Sequence, residues 1–193
     1  MLVGFLLGSI PWGLWIARAR GVDLRGVGSG NIGATNAIRA LGRKWGGLVF
    51  LLDTAKGAAA ALLSTHVPTQ LAAGAAAILG HVFSPWARFK GGRGVATSLG
   101  VFLAILPIPA LLAFGVWILV FLVSRRVSVG SLAAAIAYPF LVAWKGPHDS
   151  YRTAYIIAGA LVALLVVIRH LPNIRRIISG TEPASLGRNG VKP

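Results

Sequence analysis

The chain of 193 residues contains no cysteine and only four acidic side chains. Without cysteine there is no disulfide, no thiol nucleophile and no thiolate metal site. The four histidines, His66, His81, His148 and His170, never fall at a His-x-x-x-His spacing, so the usual helical zinc pair is excluded as well. Charge of either sign is scarce: Asp, Glu, Lys and Arg make up 12% of the residues against 56% hydrophobic, and the mean hydropathy is +0.77. A soluble domain of this size could not cover its surface with so few polar groups. The composition is that of an integral membrane protein.

What charge there is has one sign. Nineteen Lys and Arg against four acids leave a formal charge of +15, which in a soluble chain would point to nucleic acid. No extended domain interleaves aromatics with basic runs here, so nucleic acid is not expected, and anionic lipid or substrate is the better partner. Apolar runs at 1–17, 45–64, 71–86, 95–106, 110–123, 132–144 and 153–168 predict an all-α membrane protein with about seven transmembrane helices. The first run lacks a preceding basic region and a small-residue cleavage pattern, which makes it a membrane helix instead of a signal peptide. Pro107-Ile108-Pro109 separates two short runs and predicts a tight reversal.

The segments 18–44, 87–94, 124–126 and from 169 onward hold 6, 3, 2 and 5 Lys or Arg, whereas the loops between them hold only Lys145 and Arg152. Because basic residues are retained inside, this predicts an N-terminus outside and a cytoplasmic C-terminus. The expected organisation is a single polytopic domain over 1–193, with cytoplasmic motif segments near 18–44, 87–94, 124–131 and 169–193.

Those segments carry the chemistry. Gly28-Ser29-Gly30-Asn31-Ile32-Gly33-Ala34-Thr35-Asn36 leaves backbone N–H groups unshielded and is followed by Arg39 and Arg43, one helical turn apart. Gly28-x-Gly30-x-x-Gly33 also fits a dinucleotide fingerprint, but it follows a basic segment where that fold needs a buried strand. A second loop, Arg88-Phe89-Lys90-Gly91-Gly92-Arg93-Gly94, again sets cations among glycines, and Arg125, Arg126 and Ser128 make a third. Each alone also reads as a basic turn between helices. Together, on one membrane face with His170 and Asn173, they could converge on a cationic site for one or two phosphates. A membrane anion or phosphate transporter is the alternative, although transporters expose polar groups on both faces. Asp53 and Lys56, three residues apart, share a helix face and can neutralise one another. No Gly-x-Ser-x-Gly elbow, Walker A loop or His-x-x-x-x-Asp box is present, so an enzyme would act mainly through orientation and charge stabilisation.

Gly8-Ser9-Ile10-Pro11, the 28–36 stretch with Arg39 and Arg43, Asp53-x-x-Lys56-Gly57, Gly80-His81, the run from Phe89 to Thr97, and Gly180-Thr181-Glu182 occur in order along nearly the whole chain. In these motifs the chain resembles the bacterial acyl-phosphate:glycerol-3-phosphate acyltransferases, the PlsY family. The resemblance implies a multi-pass enzyme of the bacterial inner membrane with its site facing the cytoplasm. It implies transfer of a fatty acyl group from acyl phosphate to the 1-hydroxyl of glycerol 3-phosphate, yielding lysophosphatidic acid and phosphate in phospholipid synthesis. It further implies no cofactor and no metal, and an association with the enzyme that makes acyl phosphate.

Carried over by position, the resemblance assigns catalytic roles to Ser29, Lys90, Arg93, His170 and Asn173. Gly28, Gly30, Asn31, Gly33, Thr35, Asn36, Arg39, Arg43, Gly91, Gly92, Gly94 and Ser128 would bind substrate and its phosphate. Two positions depart from the family pattern: Arg93 stands where lysine is common, and Leu171-Pro172 where polar residues often are. Asp53, Glu182 and His170 are the side chains that could take the hydroxyl proton. The family implies instead that an oxygen of acyl phosphate accepts it.

Overall fold

The computed structural model describes residues 1–184, and all regular elements among them are helical. The expected cytoplasmic segment 169–193 therefore lies partly outside the described residues. The chain forms two units, 1–105 and from 106 onward.

The first unit holds α1 (Leu2–Ser9), α2 (Trp12–Ala19), α3 (Ala34–Leu41), α4 (Arg43–Ala61), α5 (Val67–Val82), a 3-10 turn (Pro85–Ala87) and α6 (Val95–Ile105). Pro11 has no N–H to continue the first run, so α1 and α2 are separate helices. Small residues let these helices approach closely. Gly4 and Gly8 of α1 lie against the backbone of Ala73 and Ala77 of α5, where a Cβ would overlap main-chain atoms; Gly57 of α4 meets Thr97 of α6, and Gly100 meets Thr54 in the same way. Such small-residue seams are how membrane helices pack, since burial of large apolar groups gives no drive between helices already in lipid. Large side chains point outward accordingly: Leu51 and Leu79 are exposed in this unit.

The second unit holds α7 (Pro107–Ser124), α8 (Val127–Lys145), α9 (Arg152–Arg169) and α10 (Leu171–Ile178). Pro107 and Pro109 occupy the first turn of α7, where a missing N–H costs nothing, and Leu106 before them is non-helical. Gly130 of α8 packs on Trp117 of α7, and Gly159 of α9 on Tyr138 of α8. Leu111, Leu119, Val123 and Phe140 face outward. α8 begins earlier than the sequence reading placed it. Left-handed Arg125 (φ 56°) ends α7, Arg126 is extended, and Ser128 thus sits in the first turn of a helix instead of in a loop. The tail also adds α10, an element the sequence reading lacked.

Five stretches among the described residues are long and apolar enough to cross a membrane: Leu2–Ala19, Val67–Ala87, Pro107–Ser124, Val127–Lys145 and Arg152–Arg169. α6 is apolar but has 11 residues, about 16 Å of helix.

Candidate functional site

In the first unit the two glycine loops are built differently. The segment between α2 and α3 is shaped by Asn36, which is buried. Its amide donates to the Leu24 and Val27 carbonyls at 2.9 and 3.0 Å, and its Oδ1 accepts the Ser29 N–H at 3.0 Å. Asn36, carried over as a substrate contact, is therefore spent on holding the loop, because both ends of its amide are satisfied internally. Gly28 and Gly30 take φ of +57° and +66°, which only glycine adopts cheaply. The Arg39 side chain passes over Gly28, its Cδ 3.6 Å from where a Cβ would stand. Asn31 Oδ1 accepts the Gly33 N–H at 2.8 Å, and Gly33 leads into α3, whose first turn carries Thr35. Ser29 is half-buried, and Arg43 is exposed at the start of α4.

The second loop folds back on the end of α5. The Gly91 N–H donates to the Val82 carbonyl at 3.0 Å and the Gly92 N–H to the His81 carbonyl at 3.1 Å. These two N–H groups, read from sequence as part of a phosphate cradle, instead cap the orphan carbonyls of α5. Both positions need glycine for contact: a Cβ at Gly91 would overlap the His81 carbonyl, and one at Gly92 the His81 ring. Arg88 and Phe89 are left-handed in succession, at φ 54° and 60°, a rare conformation that sets the direction of exposed Lys90. Arg93 is half-buried, and Gly94 (φ +84°) leads into α6.

Arg25 joins the two loops. Its guanidinium donates to the Ala87 carbonyl at 2.7 Å and the Lys90 carbonyl at 3.2 Å. It lines, with Arg18, Asp23, Arg88 and Lys90 and the apolar Leu14 and Trp86, a cleft of about 650 Å³. The sequence reading counted Arg25 only as one more basic residue; its place five residues before Gly30 was the available signal.

Beneath the second loop lies a buried polar knot. Pro11 leaves the Ser9 and Ile10 carbonyls without helical partners, and Ser84 Oγ and Lys56 Nζ donate to them at 2.5 and 2.7 Å. Lys56 Nζ also lies 2.9 Å from His81 Nδ1 and 2.7 Å from Asp53 Oδ1, the latter an ion pair without hydrogen-bond alignment. Asp53, Lys56 and His81 are all buried.

In the second unit the organising group is Glu182. Oε1 accepts from Ser128 Oγ and from Asn173 Nδ2, each at 2.7 Å, and Oε2 accepts from Arg176 Nε at 2.7 Å. Burial alone would raise its pKa, but the three hydrogen bonds and the Arg176 charge outweigh that and hold it below the ordinary carboxylate value. Ser128 and Asn173 are thus brought together as the sequence reading expected, but as buried partners of a carboxylate. His170 is buried at the joint of α9 and α10. Its Nδ1 lies 2.8 Å from the Val166 carbonyl, so Nδ1 carries the donated proton.

A family model described as glycerol-3-phosphate acyltransferase matches residues 1–180. The glycerol-3-phosphate acyltransferase of Geotalea daltonii is 46% identical over 187 residues, covering 94% of each chain. Two crystal structures of PlsY (YgiH), an integral membrane glycerol 3-phosphate acyltransferase, are similar throughout. Its glycerol 3-phosphate form superposes with a TM-score of 0.87 at 42% identity, over 95% of this chain and 92% of that one. Its lysophosphatidic acid form gives 0.84 at 41% identity, over 94% and 91%. Agreement of this extent in sequence and in helical fold displaces the transporter alternative, and the chain belongs to the family of glycerol-3-phosphate acyltransferases.

Proposed function

We propose that the protein transfers a fatty acyl group from acyl phosphate to the 1-hydroxyl of glycerol 3-phosphate, with the substrates' own phosphate as proton acceptor. The hydroxyl oxygen forms the new ester bond to the acyl carbon, and the carbon–oxygen bond of the mixed anhydride breaks. Its electron pair stays on the departing phosphate, an oxygen of which takes the hydroxyl proton. The products are lysophosphatidic acid and inorganic phosphate.

The observation that carries this reading is the state of the two carboxylates best able to be bases. Asp53 is buried against Lys56, and Glu182 is buried and already accepts three hydrogen bonds, two at Oε1 and one at Oε2. A base must reach the proton it takes, and neither is placed to do so. Lys90, Arg93 and Arg39 supply charge for the phosphates, and Ser29 and Asn31 polar contacts. The chemistry then rests on alignment and on stabilising charge on the leaving group. Arg93 in place of lysine suits this, since a guanidinium clamps phosphate but does not give up a proton near neutrality.

Counting α4 and α6 with the five long apolar stretches makes seven crossings, with the N-terminus outside and the motif loops on the cytoplasmic face of the inner membrane. Single cysteines replacing Ser29 and Lys90 should then label from the cytoplasmic side and one replacing Ser150 from the other, on a background with no native cysteine. Purified protein given palmitoyl phosphate and labelled glycerol 3-phosphate should release labelled lysophosphatidic acid and phosphate in equal amounts. Equal turnover with palmitoyl coenzyme A would overturn the assignment of the donor.

A further inference from the structure

We infer that His81 is a positioning residue for acyl transfer: locked by Lys56 and Asp53, its ring is the backing on which Gly91 and Gly92, and with them Lys90 and Arg93, are set. The inference rests on the reading above, in which that loop holds substrate phosphate.

The geometry defines the ring's state. Lys56 Nζ lies 2.7 Å from Asp53 Oδ1, and as an ammonium, which has no lone pair, it donates to His81 Nδ1 at 2.9 Å. The ring proton is then on Nε2, the nitrogen that faces Gly92. Because Lys56 also holds the Ile10 carbonyl at 2.7 Å, the ring is tied to α4, α5 and the joint between α1 and α2 together. The loop meets this residue twice. The Gly92 N–H binds the His81 carbonyl at 3.1 Å, and the Gly92 α-carbon lies so near the ring that a Cβ would overlap Nε2 and stand 2.8 Å from Cε1 and 3.1 Å from Cδ2. Lys90 and Arg93 flank this two-residue contact in the chain.

The test is a suppressor cycle in the palmitoyl phosphate assay. His81→Asn keeps an acceptor for Lys56 where Nδ1 stood but removes Cε1 and Nε2, opening room for a Cβ. Gly92→Ala should push the loop off its seat and lower kcat/KM by roughly 10²-fold, and His81→Asn by roughly 10-fold, both mainly through KM and with an unfolding midpoint near wild type. The pair together should recover activity relative to Gly92→Ala, a non-additivity that two independent lesions would not produce. His81→Gln, which keeps an atom near the Nε2 position, should fail to rescue. Were His81→Asn to yield too little folded protein, His81→Ser opens the same space and the rescue is read from it. Multiplicative losses in an active background, or a wild-type KM in His81→Asn, would overturn this inference alone. An inactive wild type would overturn the donor reading and this inference with it.

Discussion

Each unit is organised around one buried charged group, and the two groups are opposite in sign. In the first, the Lys56 ammonium gathers Asp53, His81 and the Ile10 carbonyl. In the second, the Glu182 carboxylate gathers Ser128, Asn173 and Arg176. The difference lies in where the counter-charge comes from. Asp53 is one turn from Lys56 on the same helix, so the pair neutralises itself as α4 forms, before any other helix packs. Glu182 lies beyond α10 and depends on other elements, and its ionic partner Arg176 keeps 35% side-chain exposure against 4% for Lys56. A charge deep among apolar helices needs a local partner; a buried carboxylate near the chain's end can be completed late, by a partner that itself stays open to solvent.

This contrast breaks most visibly at Lys56. Lys56→Met should destabilise the protein by about 3–5 kcal/mol, because Asp53 is left buried and unpaired. Most of that should return in the Lys56→Met, Asp53→Asn double variant. Unfolding in mixed detergent reads both, and equal losses in single and double variants would show that the pair carries no coupled charge.

The catalytic consequences come next. Lys90→Ala and Arg39→Ala should each lower kcat/KM by about 10²-fold, as loss of a charge-stabilising donor does. His170→Ala should cost less at saturating substrate and keep measurable turnover, whereas a true base contributes roughly 10²–10⁴-fold. Saturated rate against pH decides: a wild-type acidic limb near the ordinary histidine pKa of about 6.5 that vanishes with all turnover in His170→Ala would make His170 the base.

At Glu182 smaller effects are expected. Glu182→Gln keeps an acceptor for some donors but turns an NH₂ toward others, and should cost about 1–3 kcal/mol, read as a lower unfolding midpoint. The smallest effect is its pH dependence. The folded carboxyl binds its proton more weakly than the unfolded one, so the hub's contribution is complete above the ordinary value of 4.5 and is lost as pH falls through the lowered folded value. Wild type should lose stability on acidification through that window, and Glu182→Gln should lose less. Parallel acid limbs in the two proteins would place the sensitivity elsewhere.

Several features were open to reading along the chain. The spacing of Asp53 and Lys56 marks a shared helix face, and the helices follow the apolar runs to within a few residues over most of their length. Pro107 and Pro109 misled about where α7 begins, because a proline that breaks a helix interior also fits its first turn. The glycine loops were found, but the reason for their glycines was not. Gly91 and Gly92 are small so that the loop can lie on α5, and their N–H groups point inward. Asn36 has the residue type of a ligand and the contacts of a strut.

The sequence by itself determined membrane residence, the helical class and the family, because run length, charge and ordered motifs are properties of the chain taken in one dimension. Which donor meets which acceptor was decided only by the tertiary structure. Residue type states what a side chain can give or take, but His81 lies 25 positions from Lys56, Lys90 lies 65 from Arg25 and Glu182 lies 54 from Ser128. Packing alone brings such groups within 3.5 Å, and once there a buried polar atom must be satisfied by whatever neighbour the fold supplies.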